Sequence, residues 1–281
     1  MVAAPPEGGS AWTSAGPHLL TESLPTLDTA HPTPFDDAAF YDLLFTNFDY
    51  GIAYYLEQAK RAEGPVLDLC CGTGRVLLPL LQAGVDADGV DGYSAMLEAA
   101  GRKVQVAGFV PRLYHQEMRA FRTERQYALV VIPFNSFVHN LTAADQIATL
   151  RTCREHLLPG GKLVFDVFFP GPDYRSQPQD EPELELELTH PETGNLLQAY
   201  DLRTLDQVAQ IQHSENEIRE LSPAGEVISV RKTQTTIRWI YKQELELLLT
   251  LSGFSRWEIT RAFDREPLSG TTEGMLVEAW R

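Results

Sequence analysis

Asp68-Leu69-Cys70-Cys71-Gly72-Thr73-Gly74-Arg75 begins as an apolar run and breaks into glycines where a helix should start. Glycine at such a junction lets backbone approach a ligand closely and leaves free N–H groups at the head of the helix. Asp91 lies 17 residues beyond Gly74, at the end of the next apolar run, where a carboxylate can accept both hydroxyls of a ribose. Spacing and context together point to a nucleoside-bearing cofactor. A dinucleotide needs a third glycine for close helix–strand packing, and that position is Leu77, so a nicotinamide-dependent oxidoreductase is the weaker reading. The adjacent Cys70 and Cys71 offer too few ligands for a metal and are expected as small buried residues.

These residues need a scaffold, and the pattern around them supplies one. Val66 to Leu69 is expected as a strand feeding a helix through Val76, Leu77, Leu80 and Leu81. A strand into Gly89-Val90-Asp91 and a helix over Met96 to Arg102 repeat the unit. Strands follow at Arg112 to His115 and Ala128 to Ile132, then a helix capped by Thr142 and Asp145, a Pro159-Gly160-Gly161 turn and a strand at Lys162 to Val167. Repeated strand–helix units imply an α/β, doubly wound, mostly parallel sheet covered on both faces.

Beyond Phe169 the period changes. Glu183-Leu184-Glu185-Leu186-Glu187-Leu188 alternates, and runs at Leu196 to Leu202, Val208 to Glu215 and Glu226 to Trp239 extend a small antiparallel layer with one wet face. A helix with Leu245, Leu248 and Leu249 and two strands, Arg256 to Arg261 and Met275 to Trp280, close the chain. The expected organisation is a flexible tail at 1–34, N-terminal helices at 35–63, a cofactor-binding core at 64–169, an antiparallel insertion at 170–241 and a closing helix and strands at 242–281. The tail rests on seven prolines and glycines through Pro25 and few large apolar groups.

Asp68 to Gly74, Gly89-Val90-Asp91 and Met96-Leu97 resemble the first two motifs of class I S-adenosylmethionine-dependent methyltransferases. Gln116-Glu117-Met118 is similar to the acidic-Met step that lines the adenine in that family, and Leu157-Leu158-Pro159-Gly160-Gly161 to its turn before strand five. The chain departs from the family at Cys70, often glycine, and at Tyr93, often serine. The resemblance implies seven strands in the core sheet and S-adenosyl-L-methionine as cofactor, held by Tyr41, Asp68, Cys70, Gly72, Gly74, Asp91, Met96, Glu117, Met118 and Pro133. It also implies a small-molecule methyl acceptor, with a slight preference for nitrogen over oxygen, because no strong base stands out in the sequence.

The acceptor side is expected at the loop Pro133 to His139, beyond the fourth strand, where α/β sheets place ligands. There Asn135 can orient an amine or hydroxyl, or cap the loop, and His139 can take a proton near neutral pH, or begin a helix. Tyr41 and Tyr50 fall in segments that fold over the cofactor in similar enzymes, and Tyr50 joins Asn135 and His139 as a candidate catalytic group. Arg238 and Tyr241 match an Arg-x-x-Tyr at the pocket mouth of related enzymes, where arginine suits a substrate carboxylate or phosphate. The inserted strands resemble a lid. A binding protein that keeps the nucleoside site without turnover is the remaining alternative.

Composition bounds the partners. The chain has 281 residues, 43% of them hydrophobic and 22% charged, and no apolar run of the roughly 20 residues a membrane span needs. A formal charge of -16 opposes nucleic acid. Three cysteines and an N-terminus without a basic, apolar leader favour a reducing cytoplasm.

Overall fold

The computed structural model describes residues 32–45, 48–110, 112–172, 174, 180–270 and 274–281. Residues 1–31 of the expected tail lie outside these. A capping box at Thr33 and Asp36 opens a 3-10 turn, Pro34–Asp36, the first regular element among the described residues.

Two helices, α1 (Ala38–Phe45) and α2 (Ile52–Arg61), precede β1 (Val66–Leu69). The chain then alternates through α3 (Leu77–Gln82), β2 (Ala87–Asp91), α4 (Ser94–Val106), β3 (Leu113–His115), β4 (Tyr127–Ile132), α5 (Ala143–His156) and β5 (Leu157–Phe168). After an insertion come α6 (Lys242–Leu251), β10 (Arg256–Arg261) and β11 (Gly274–Trp280). The seven core strands lie in the order β10-β11-β5-β4-β1-β2-β3, parallel from β5 to β3, with β11 antiparallel to both its neighbours. This is the Rossmann-like, doubly wound sheet the strand–helix alternation implies.

Near-continuous apolar runs make these strands because both faces are buried. Leu67, Leu69, Val130 and Ile132 pack with Leu150 of α5 and Leu245 and Leu249 of α6 on one face. Val66, Leu129 and Val131 pack with Tyr55 of α2 and Leu77 and Leu80 of α3 on the other. The inserted residues form a separate antiparallel sheet, β6 (Glu183–Thr189), β7 (Leu196–Asp206), β8 (Ile211–Leu221) and β9 (Val227–Arg238), in sequential order.

Two boundaries differ from the sequence reading. The strand expected from Val208 begins at Ile211, because the Asp206 carboxylate accepts the Val208 and Ala209 N–H groups, each at 2.9 Å, and turns the chain. Pro159-Gly160-Gly161, expected as a turn before strand five, lies within β5 at an irregularity in its pairing with β4.

Candidate active site

Strand order reverses between β1 and β4, and in α/β sheets the crevice outside the strand ends at such a reversal holds ligands. Here a crevice lies between the turn after β1 (Cys70, Cys71, Gly72, Thr73, Arg75, Val76) and the turn after β4 (Pro133, Phe134, Ser136). Tyr41 of α1 closes one side and Asp68 of β1 lines its floor.

Asp68 is 0% exposed, and neither of its oxygens has a hydrogen-bond partner. Burial raises its pKa to about 7, with the charge of Arg75 opposing the rise and that of Asp91 adding to it. Gly72 has a φ of 54° and a Cβ there would meet nothing within 4 Å, so bare backbone faces open space. Gly74, at φ 87°, instead backs onto α4, where a Cβ would sit 3.5 Å from Ala100. Cys70, the departure from glycine, also has a left-handed φ of 64°, at a cost of roughly 1–2 kcal/mol for a side chain with a Cβ. Its Sγ lies 4.0 Å from Met118 Sδ, which in turn accepts from Asn140 Nδ2 at 3.2 Å.

Asp91 is 7% exposed and accepts the Gly72 N–H at 2.8 Å and the Tyr93 N–H at 2.9 Å. It therefore ties the glycine turn to the start of α4, where Tyr93 provides no side-chain cap. Burial raises its pKa against those two backbone bonds. Glu117 stands beside it across Gly92, where a Cβ would lie 3.5 Å from Oε1. Met96 is buried beneath Phe35, Tyr41 and Tyr93 rather than facing the crevice.

Side chains of α1 and the following segment cover the turn. Thr73 Oγ1 donates to Asp42 Oδ1 at 2.5 Å, and Lys103 of α4 pairs with Asp42 Oδ2 at 2.6 Å. Arg75 donates to the Tyr50 carbonyl at 2.9 Å and stacks 4.7 Å from the Phe134 ring centroid. Tyr41 is raised to about 12 by burial, and Tyr50 to about 12 by burial and the charge of Asp166. The Tyr50 ring packs edge-on against Phe263 and its hydroxyl faces Gly274 on β11.

The turn after β4 is the most constrained part of the site. Phe134 and Asn135 have φ of 60° and 57°, a left-handed pair without glycine that costs roughly 1–3 kcal/mol per residue. The Phe134 N–H donates to Asp166 Oδ1 at 2.8 Å and the Asn135 N–H to Asp166 Oδ2 at 3.0 Å, while the Tyr55 hydroxyl donates to Oδ1 as well. Neither Asp166 nor Tyr55 is marked as a site residue by motif or spacing. The available signal was a lone carboxylate inside the buried run Leu163-Val164-Phe165-Asp166-Val167.

Two expectations are corrected. Burial holds the His139 imidazole neutral with its pKa down to about 4, and its ring stands edge-on to Phe35, so it is a poor proton acceptor near neutral pH. Arg238 is 11% exposed and donates to Gln146, Gln210 and Glu244, which leaves it committed to the joint between β9 and α6 instead of to a substrate anion. Tyr241 occupies the N-cap position of α6, its ring centroid 6.3 Å from that of Phe169. Among the described residues no helix is long and apolar enough to cross a membrane.

Residues 66–161 match a family described as a methyltransferase domain. The YqeM protein of Bacillus subtilis is 31% identical over 154 residues, 51% of this chain and 62% of its own length. The dTDP-3-amino-3,4,6-trideoxy-alpha-D-glucopyranose N,N-dimethyltransferase of Streptomyces venezuelae is 30% identical over 138 residues, 47% of this chain and 56% of its own. The chain thus spans less than two thirds of either relative. The CcbJ methyltransferase of Streptomyces caelestis superposes with a TM-score of 0.67 at 25% identity, covering 88% of this chain and 97% of that one.

Proposed function

We propose that this chain, whose residues 66–161 match a family described as a methyltransferase domain, transfers a methyl group from S-adenosyl-L-methionine to the nitrogen of a small-molecule amine. The observation that carries the reading is the crevice at the sheet's reversal, where bare Gly72 backbone faces open space above the unpartnered, buried carboxylate of Asp68. That pairing fits the cofactor: the open backbone admits an amino-acid chain, and the buried carboxylate suits its ammonium. Asp91 and Glu117 would hold the ribose through lone pairs left free by the two backbone bonds to Asp91. Cys70, Met118 and Pro133 would wall the adenine, with Tyr41 over it and Met96 supporting that wall.

When bound, S-adenosylmethionine supplies a methyl on a sulfonium that departs as a neutral thioether without an acid. The chain's own work is then to orient the acceptor and exclude water. Nitrogen is favoured because a neutral amine needs no base, whereas Tyr41 and Tyr50 lie near 12 and His139 near 4, and Asp68, raised to about 7, is assigned to the ammonium of the cofactor. A neutral amine brings its own lone pair. The Streptomyces venezuelae relative, by its name, acts on an amino sugar, which supports amino sugars as the acceptor class. An excess of acidic side chains argues against a nucleic-acid partner, and three free thiols suit a cytoplasmic setting.

The test incubates the protein with S-adenosylmethionine and 3-amino-3-deoxyglucose, glucosamine and benzylamine beside their hydroxyl counterparts, and follows methylated product by mass. Amines should gain a methyl while the alcohols do not. Equal turnover of the alcohols would reject the nitrogen assignment, and no turnover of any acceptor would reject the activity for this class.

A further inference from the structure

We propose that the cleft between α1 and the inserted sheet binds a small hydrophobic ammonium ion, whose presence steadies α1 over the cofactor crevice and so raises affinity for the cofactor. The site itself goes beyond the methyl transfer put forward above, and only its coupling to the cofactor rests on that reading. Strand register builds one wall of the cleft. Leu197 of β7 stands opposite Glu220 of β8, Glu220 opposite Ser229 of β9, and Ile218 opposite Arg231, so all five share one face of the sheet. Phe40 and Leu43, three residues apart on α1, supply the facing wall. Leu197 and Ile218 are 3% and 5% exposed, and with the two α1 side chains they make the lining mostly apolar.

Charge decides what such a cleft takes. Its titratable lining groups are His190, Glu220 and Arg231. Arg231 is committed within the fold: it pairs with Asp37, which also accepts the Phe40 N–H at 3.0 Å, and it stacks 4.6 Å from the Phe40 ring centroid. His190 Nδ1 accepts the Glu192 and Thr193 N–H groups at 3.2 and 3.3 Å, a role open only to an unprotonated nitrogen. Glu220 accepts from Asn195 Nδ2 at 2.7 Å and from Ser229 Oγ at 3.1 Å, and these bonds hold its carboxyl below the usual carboxylate range. Both donors are neutral and no ion pair to Glu220 forms among the described residues, so a carboxylate charge is left beside the apolar lining. That combination fits an aryl or alkyl body ending in a primary ammonium, and the chain's net charge of -16 favours the same sign of ligand.

Coupling comes from α1, whose two faces serve both sites. Tyr41 lines the cofactor crevice, while Asp42 accepts from Thr73 Oγ1 of the glycine turn at 2.5 Å and pairs with Lys103 of α4 at 2.6 Å. At eight residues α1 is too short to persist by itself and takes its position from such contacts. Phe40 and Leu43 are half of the apolar lining, so the ammonium binds the seated helix better than a displaced one, which is the differential affinity a population shift requires. Linkage makes the effect mutual, with the cofactor raising affinity for the ammonium by the same factor.

The test adds 2-phenylethylammonium chloride to the full chain, beside 2-phenylethanol and phenylacetate as neutral and anionic compounds of like shape. By 15N NMR the ammonium should shift the amides of Leu43, Ile218 and Ser229. Calorimetry with S-adenosylhomocysteine, which has no methyl to transfer, should give a dissociation constant lowered by about fivefold or more at ~10 mM of the ammonium salt relative to equal sodium chloride. The alcohol should do less and the anion nothing. Glu220→Gln keeps the side chain's shape and should abolish the effect, with S-adenosylhomocysteine affinity in the absence of ammonium within about twofold of the unsubstituted protein. Ser229→Phe, at an exposed strand position, should fill the cleft and do the same, and it serves alone if Glu220→Gln does not fold. No shift at the three amides, an alcohol as effective as the ammonium, or coupling undiminished in the variant would each overturn the proposal. If S-adenosylhomocysteine fails to bind with or without the ammonium, the cofactor reading fails and the coupling with it, whereas the three amides still decide whether the cleft takes the ammonium.

Discussion

Asp68 shows how one buried side chain can serve a ligand at the expense of the free fold. Its pKa rises from the ordinary 3.8 to about 7 on burial, so between those values the folded protein binds a proton that the unfolded chain does not. Stability must therefore fall as pH rises through that window, by an amount on the order of 4 kcal/mol for a rise of this size. Asp68→Asn should remove the penalty: we expect its Tm at pH 7.5 to exceed that of the unsubstituted protein by several degrees, with little difference near pH 4. The same substitution should weaken S-adenosylhomocysteine binding by about tenfold or more, since a buried carboxylate facing an ammonium loses its charge. Thermal melts across pH with calorimetry would check both, and a Tm gain without lost affinity would remove Asp68 from the cofactor site. Asp68 and Asp91 were legible because each sits at a fixed distance from glycines at a strand end. Asp166 was not, because its partners lie 31 and 32 residues away and meet it only when β4 and β5 pair. His139 and Arg238 misled for a related reason: residue type suggested proton transfer and anion binding, whereas burial and the acceptors Gln146, Gln210 and Glu244 decide what those groups can do.

At the scale of elements, the register between β4 and β5 delivers the Phe134–Asn135 turn to Asp166. Ile132 pairs with Phe165 at the crevice end, and the irregularity between Tyr127 and Leu129 absorbs the mismatch at the other. Gly161 makes that possible. A Cβ on it would lie 2.9 Å from the Leu158 carbonyl, 3.0 Å from that of Tyr127 and 3.2 Å from that of Ala128, and backbone carbonyls of a central pair have nowhere to go. Gly161→Ala should thus destabilise the protein by about 1–3 kcal/mol, the usual range for overpacking. It should also lower turnover further than Gly160→Ala does, since a Cβ at Gly160 meets nothing within 4 Å and only its φ of 79° resists. Chemical denaturation of the two variants, read beside kcat/KM, separates a local clash from a register shift; equal effects would mean that β5 does not transmit register to the site. Strands and helices of the core were legible because burial on both faces writes continuous apolar runs. The strand after β7 was misplaced by three residues at its start because Val208, 95% exposed, has strand propensity but sits in a turn closed by the Asp206 side chain.

Across the whole molecule, an excess of 39 acidic over 23 basic residues surrounds the crevice with a field that small charged ligands feel before they touch it. The two forms of the proposed cofactor differ in net charge, +1 with the sulfonium and zero after the methyl has left. At ~10 mM salt the Debye length is about 30 Å and most of the chain's charge reaches the crevice, whereas at ~300 mM only the nearest groups count. Asp68, Asp91 and Glu117 are near it with Arg75 opposing them, so part of the attraction should survive screening. The affinity of S-adenosylmethionine relative to S-adenosylhomocysteine should consequently fall by about two- to fivefold over that salt range. An acceptor carrying a pyrophosphate should respond in the opposite sense, its KM dropping as salt screens the repulsion, while a neutral amino sugar stays flat. Calorimetric titration of both cofactor forms at the two salt concentrations provides the check. A constant ratio would mean that the acidic surface is arranged away from the crevice, and that any preference for the charged cofactor over its product is set by those few local groups alone.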